Sequence, residues 1–163
     1  MSLCVHEAGH AMACFLFRIP IRQITVKADG LYLGKVSPLI LRARERLDYE
    51  WRPQRQRRLA ERIVRCALAG AIAQKEYSRH SFRKYHAAKD GEIAFDIASR
   101  VSGSDEEALA WCKLLEIQTR LEFQLVRNWR TLMMLAHKLR KHHTISGREA
   151  RALLTRSLRA MDV

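Results

Sequence analysis

The sequence has no apolar run long enough to cross a membrane. A transmembrane helix needs about 20 consecutive apolar residues, and the longest candidate, Ala11 to Phe17, is much shorter than that. The chain does not open with a basic stretch followed by an apolar core and a small-residue cleavage site, so we expect no signal peptide. Together these absences favour a soluble, cytoplasmic protein without a membrane span.

The sequence also lacks any close pair of cysteines. Its 4 cysteines are widely scattered and form no CxxC motif, which argues against a disulfide framework and against a cysteine-based metal site. Three of them lie within apolar helical patterns, where a free thiol behaves as a small hydrophobic side chain. We therefore expect buried free thiols at Cys4, Cys14, Cys66 and Cys112.

The overall composition is that of an ordinary globular protein. Hydrophobic residues make up 48% and charged residues 29% of 163 positions, and no repeat or linker divides them, so we predict a single domain over residues 1–163. The formal net charge of +13 is unusual and favours weak, non-specific binding of nucleic acid. The arginines between Arg42 and Arg58 alternate with acidic residues, which is typical of a solvated surface.

The pattern of apolar residues predicts a mainly α protein with one small β-hairpin, an α+β fold. Alternation over Ile21 to Lys27 and over Leu31 to Val36 indicates two strands, joined by a turn at 28–30 and stopped by Pro38. Ser104 with Glu107 and Ser146 with Glu149 have capping-box spacing, which predicts that helices open there. The predicted helices cover residues 5–17, 54–77, 89–101, 104–126, 129–141 and 146–161, with a loop over 78–88.

The strongest chemical signal is the HExxH motif, His6-Glu7-Ala8-Gly9-His10. Residues four apart share one face of a helix, so both imidazoles can reach one ion. Neutral imidazole nitrogens suit Zn²⁺, and a catalytic zinc site needs a third protein ligand. Glu7 falls one residue further round the helix, where a carboxylate can take a proton from zinc-bound water. We therefore predict one Zn²⁺ per chain.

The spacing alone does not identify the third ligand. An aspartate near a helix start, such as Asp90, is also favoured there by the helix dipole without any metal. The candidates that remain open at this point are Asp90, Glu76, Glu92, Asp96 and His86.

Five ordered segments resemble the peptidase domain of the FtsH-type ATP-dependent zinc metalloproteases, whose HExxH reads HEAGH here. They cover nearly the whole chain: VHEAGHAMACFLFRIPIRQITV, ADGLYLGKVSP, RCALAGAIAQ, AAKDGEIAFDIASRV and TISGREARALL. The resemblance implies a zincin-type helical bundle with an aspartate as third zinc ligand, in a segment like SNDIxxAxxLA. Asp90 aligns with that aspartate, and Ala94 and Ala98 align with the alanines that follow it by four and eight positions.

The chain departs from the family in two respects. The family's AGRxAEE segment is Ala69 to Lys75 here, and its two acidic positions are Gln74 and Lys75, which puts the residues that support the metal ligands in question. The family also carries an ATPase module, but no GxxxxGK[ST] motif occurs in this sequence. The chain is thus similar to the peptidase part alone, and the resemblance leaves open a separate ATPase as its partner.

The resemblance implies a zinc-dependent metalloendopeptidase that hydrolyses peptide bonds of unfolded polypeptides. We expect an extended substrate to pair with the strand formed by Leu31, Tyr32, Leu33, Gly34, Lys35 and Val36 through main-chain hydrogen bonds. The alternative is a catalytically idle protease fold that binds nucleic acid or protein through its basic surface. Intact histidines and Asp90 favour the enzyme.

Overall fold

The computed structural model describes residues 1–27, 35–38, 53–82 and 87–160. Over these residues the protein is mostly helical with a small antiparallel sheet, so the prediction of a mainly α protein is confirmed. No helix in this part of the chain is both long and apolar enough to span a bilayer. The helices are α1 (Ser2–Leu16), α2 (Pro53–Tyr77), α3 (Ala88–Ser99), α4 (Asp105–Gln124), α5 (Val126–His142) and α6 (Gly147–Arg159), and the strands are β1 (Ile21–Thr25), β2 (Lys35–Pro38) and β3 (Thr144–Ser146).

The sheet differs from the predicted hairpin in having a third strand. Its order is β2-β1-β3, and Ile24 of β1 lies opposite Val36 on one side and Ile145 on the other. The placement of Pro38 beyond the second strand was wrong, because Pro38 is the last residue of β2 and lies opposite Ile21. Proline is tolerated at the end of an edge strand, since the amide it lacks is not needed there. Residues 31–34, the start of the predicted strand, lie outside the described residues.

Helices α1 and α2 cross at very close range. A Cβ atom added to Gly9 would lie 2.6 Å from the Cβ of Ala73 and 2.7 Å from the carbonyl oxygen of Ala69. Only glycine therefore permits this separation, and the alanines opposite it keep the contact small. The crossing brings the HExxH motif directly against the middle of α2.

An arginine of α2 holds the end of α1. Arg62 donates from Nε to the carbonyl oxygen of Phe17 at 2.5 Å and from Nη2 to that of Arg18 at 2.6 Å. These carbonyls have no partner within α1, so the guanidinium satisfies groups that a helix end leaves open. Arg18 itself has a φ of 56°, the left-handed conformation that often ends a helix. The direction in which the chain leaves α1 toward β1 is fixed in this way.

Most helix boundaries agree with the sequence to within two or three residues. Ser146 and Glu149 form a complete capping box at the start of α6. At α4 the Ser104 hydroxyl accepts from the Glu107 amide, but the Glu107 carboxylate accepts from the amide of Gly103 instead of that of Ser104. Within the predicted loop, residues 79–81 form a 3₁₀ turn and Ala88 already belongs to α3.

The core is one cluster to which all six helices and the strands β1 and β3 contribute buried side chains. All 4 cysteines are free, and Cys4, Cys14 and Cys66 are buried while Cys112 is half-buried. The expectation of free thiols is therefore confirmed, and the expectation of burial holds for three of them. The largest fully buried side chains are Val5, Met12, Ile24, Ile63, Ile97, Leu115, Phe123, Leu132, Leu135, Leu139, Ile145 and Leu154.

Candidate metal centre

The two histidines of α1 face the same point beside α2. His6 and His10 are one turn apart, and their rings meet edge to face with centroids 4.8 Å apart. The Nε2 atoms of the two rings are 3.1 Å from each other. The four-residue spacing of the motif thus brings both nitrogens to one place, as the sequence predicts.

Helix α3 adds a carboxylate to this pair. Asp90 lies in its first turn, and its Oδ2 atom is 3.2 Å from Nε2 of His6 and 3.3 Å from Nε2 of His10. Among the residues that the structure describes, these three form the one cluster of histidine, cysteine or acidic side chains close enough to hold a metal ion. Residues far apart in sequence therefore converge at one point of the fold.

The hydrogen bonds on the far side of each ring fix the histidine tautomers. Nδ1 of His10 lies 2.8 Å from the main-chain carbonyl oxygen of Cys66, and Nδ1 of His6 lies 3.1 Å from Oε1 of Gln74. A carbonyl oxygen can only accept a hydrogen bond, so each Nδ1 carries the proton and donates it. In the neutral rings both Nε2 lone pairs then point at each other and at the Asp90 carboxylate.

Three electron-rich atoms cannot lie this close without a positive charge among them. In the metal-free protein a proton supplies it. Burial lowers the pKa of His10, but the hydrogen bond and charge of Asp90, with a contribution from the charge of Glu7, outweigh burial and raise this pKa to about 9. Burial raises the pKa of Asp90, but the hydrogen bonds from both histidines outweigh burial and hold that pKa well below its usual range.

The same donor set fits a zinc ion. Two neutral imidazole nitrogens and one carboxylate oxygen are a common set of protein ligands at catalytic zinc sites. Gly70 of α2 leaves room beside them, because a Cβ atom there would lie 2.6 Å from Nε2 of His6 and nearer still to Nε2 of His10. Any other residue at position 70 would fill the space into which the ligand atoms point.

Glu7 lies beside this cluster without belonging to it. Its side chain is only 4% exposed, and its charge is close enough to contribute to the raised pKa of His10. A buried carboxylate is costly unless its charge has a use or a partner. It lies one residue from His6 on α1, and the role that the motif predicts for it stays a prediction.

The other candidates for third ligand are elsewhere. Glu76 accepts a hydrogen bond from Gln124 at 3.3 Å, and Asp96 forms an ion pair with Arg100 at 3.4 Å. Glu92 is exposed, and none of these three belongs to the His6 cluster. His86 lies outside the described residues.

Sequence reasoning missed what supports the histidines. It treated Gln74 only as a departure from an acidic position, whereas its side chain, 4% exposed, receives the His6 proton. Positions 66, 70 and 74 are four residues apart and therefore lie on one face of α2. This spacing is the sequence signal that could have identified Cys66, Gly70 and Gln74 as neighbours of the histidines. Lys75 lies apart and pairs with Glu116 at 3.4 Å.

The predicted substrate strand is described only at its end. Lys35 and Val36 lie in β2, which pairs with β1 on one side. Among the described strands none pairs with the other side of β2. Leu31, Tyr32, Leu33 and Gly34 lie outside the described residues, so most of the proposed binding strand stays a prediction.

No protein-family model matches this sequence, and no curated protein matches it.

Proposed function

We propose that this chain is a zinc-dependent metalloendopeptidase that resembles the peptidase domain of the FtsH-type proteases. The observation that carries the proposal is the convergence of Nε2 of His6, Nε2 of His10 and Oδ2 of Asp90 within 3.3 Å, with both Nδ1 atoms committed to other acceptors. An ion pair with Asp90 needs only one histidine nitrogen, whereas here Nε2 of both histidines lies within 3.3 Å of the same carboxylate oxygen, as ligands of one metal ion would.

His6, His10 and Asp90 would hold the metal, each from a fixed position. The histidine rings are fixed by their Nδ1 hydrogen bonds, and Asp90 is fixed by the first turn of α3. When bound there, zinc supplies a Lewis acid that polarises a peptide carbonyl and lowers the pKa of the attacking water. Asp90 also supplies one negative charge against the two positive charges of the ion.

Glu7 is the proton carrier in this proposal. Its carboxylate takes a proton from the water that attacks the peptide carbon, and it later returns this proton to the leaving nitrogen. The water oxygen thus forms a bond to the carbonyl carbon while the carbon–nitrogen bond breaks. The buried setting of Glu7, 4% exposed, keeps its charge from being screened by bulk water.

We further propose that the substrate is an extended, unfolded polypeptide. Among the described strands none pairs with the outer side of β2, and only an extended chain would satisfy the main-chain groups of that side. A segment of that kind would add next to Lys35 and Val36, on the side away from β1. Folded domains cannot present such a strand without first opening.

Metal-dependent cleavage of an unfolded protein tests the proposal. The purified chain should contain one zinc and hydrolyse casein without ATP, lose activity after chelation, and recover it when zinc is added. A chain that binds no zinc and cleaves nothing would contradict the proposal. If it then bound nucleic acid at physiological salt, the alternative of a basic binding module would replace the enzyme.

A further inference from the structure

We infer that Gln74 is a positioning residue that sets both the tautomer of His6 and the charge of the metal centre. This inference rests on the proposed function, because it concerns how the same site holds its cation. It goes further by explaining why an uncharged amide in this position matters.

The two histidines differ in the group that accepts their Nδ1 proton. His10 donates its Nδ1 proton to a main-chain carbonyl, that of Cys66, which no side-chain substitution removes. His6 depends instead on a side chain, Oε1 of Gln74, at 3.1 Å and in a buried position. Of the two histidines, only His6 can therefore have its orientation changed by substituting its acceptor.

The net charge of the metal centre depends on the residue at position 74. A divalent cation at the cluster would be balanced by two nearby carboxylates, those of Asp90 and Glu7. Because the Gln74 side chain is neutral, the loaded centre has no net charge. A carboxylate at position 74 would leave it with one excess negative charge and would make His6 a stronger ligand. The neutral amide therefore orients the ring while leaving the centre able to exchange its metal.

Two substitutions separate these contributions. Gln74→Met keeps the length of the side chain but removes the acceptor, and we expect zinc affinity to fall about 10- to 100-fold. Gln74→Glu keeps an acceptor and adds the charge, so we expect affinity at least equal to wild type and slower release of zinc to a chelator. Gln124, an exposed glutamine bonded to Glu76, provides matched controls in Gln124→Met and Gln124→Glu, which should leave both quantities unchanged.

A spectroscopic readout complements the affinities. In the zinc-loaded wild type, proton NMR should detect an Nδ1 proton on each of His6 and His10 that exchanges slowly with water. Gln74→Met should lose the His6 signal by fast exchange and keep the His10 signal. If Gln74→Met fails to fold, Gln74→Glu and the wild-type spectrum still test the inference.

Different results would overturn the positioning role of Gln74 and its effect on the charge of the centre. Zinc affinity of Gln74→Met equal to wild type, or a Gln74→Glu variant as weak as Gln74→Met, would overturn the positioning role. Zinc release from Gln74→Glu as fast as from wild type would overturn the charge argument. These failures differ from failure of the proposed function, in which His6→Ala and His10→Ala would also leave metal binding unchanged.

Discussion

Helices α1 and α6 both pack against the protein core, yet they differ in the ionisable residues that they bury. In α6 the buried positions include Ala150 and Leu154, and the arginines of the helix face solvent. In α1 the buried positions include His6 and Glu7, which are 7% and 4% exposed. A helix such as α6 follows the rule that apolar residues lie inside. Helix α1 departs from that rule. Burying ionisable side chains lowers stability, and such departures are expected at functional sites.

The largest expected effect is on metal binding, by substitution of Asp90. Asp90→Ala should lower zinc affinity by more than the roughly 100-fold that loss of a supporting residue costs, because it removes one of three ligands. Asp96→Ala, in the same helix and paired with Arg100, is the control and should bind zinc normally. Calorimetric titration with zinc measures both. Normal binding by Asp90→Ala would mean that another residue is the third ligand.

The next effect concerns stability and belongs to α6. Leu154→Ala removes a fully buried side chain, and we expect the free energy of unfolding to fall by about 2–5 kcal/mol. Zinc affinity of the folded variant should be unchanged, since Leu154 takes no part in the metal cluster. Urea unfolding and zinc titration of the same sample test this separation. A large loss of zinc affinity in folded Leu154→Ala would show that the two regions are coupled.

The third effect is a pH dependence that only the α1 site should have. Zinc requires neutral His10, whose pKa in the metal-free protein is about 9. Below that pH each zinc displaces one proton, so apparent affinity should rise about tenfold per pH unit between pH 6.5 and 8.5. Isothermal titration in buffers of different ionisation enthalpy counts the proton released. Affinity that is flat over this range would contradict the pKa of His10.

The same protonation has a consequence for the metal-free fold. The folded pKa of His10 lies above its ordinary value of 6.5, so the stability that it contributes is fully present below pH 6.5. That stability is lost as pH rises toward 9. Metal-free protein should therefore be less stable at pH 9 than at pH 6.5, whereas saturating zinc should remove this part of the pH dependence.

The smallest effect concerns the start of α6. Ser146→Ala removes the two hydrogen bonds of the Ser146 hydroxyl, which accepts from the Glu149 amide and donates to the Glu149 carboxylate, and we expect a loss of about 1 kcal/mol in unfolding free energy. Ser104→Ala provides the comparison, because the Ser104 hydroxyl accepts from the Glu107 amide while the Glu107 carboxylate bonds to the Gly103 amide instead, so the loss should be smaller. Thermal unfolding of both variants measures the difference. Equal losses would mean that the bond from the Ser146 hydroxyl to the Glu149 carboxylate adds nothing.

Local patterns made much of the fold predictable from sequence. The helical period located α1 and α2, and serine-glutamate spacing located the starts of α4 and α6. The strand β3 was missed because Thr144–Ser146 is only 3 residues long and exists through pairing with β1, more than a hundred positions away. So short a segment has no period of its own to detect.

The site was predictable to the extent that its geometry is local. His6, Glu7 and His10 lie on one helix, and their relation follows from the turn of that helix. Asp90 was selected by family resemblance, since spacing alone left Glu76, Glu92, Asp96 and His86 open. The role of Gln74 depends on how α1 crosses α2 at Gly9, and a crossing distance is set by packing between segments far apart in sequence.

One measurement tests the central claim most directly: zinc content and casein hydrolysis of Glu7→Gln beside wild type. The substitution keeps the size of the side chain and removes its ability to carry a proton. Because Glu7 is not among the three converging ligands, the variant should retain one zinc per chain, and hydrolysis should fall by about 10²- to 10⁴-fold. Hydrolysis at the wild-type rate in the zinc-loaded variant would contradict the account.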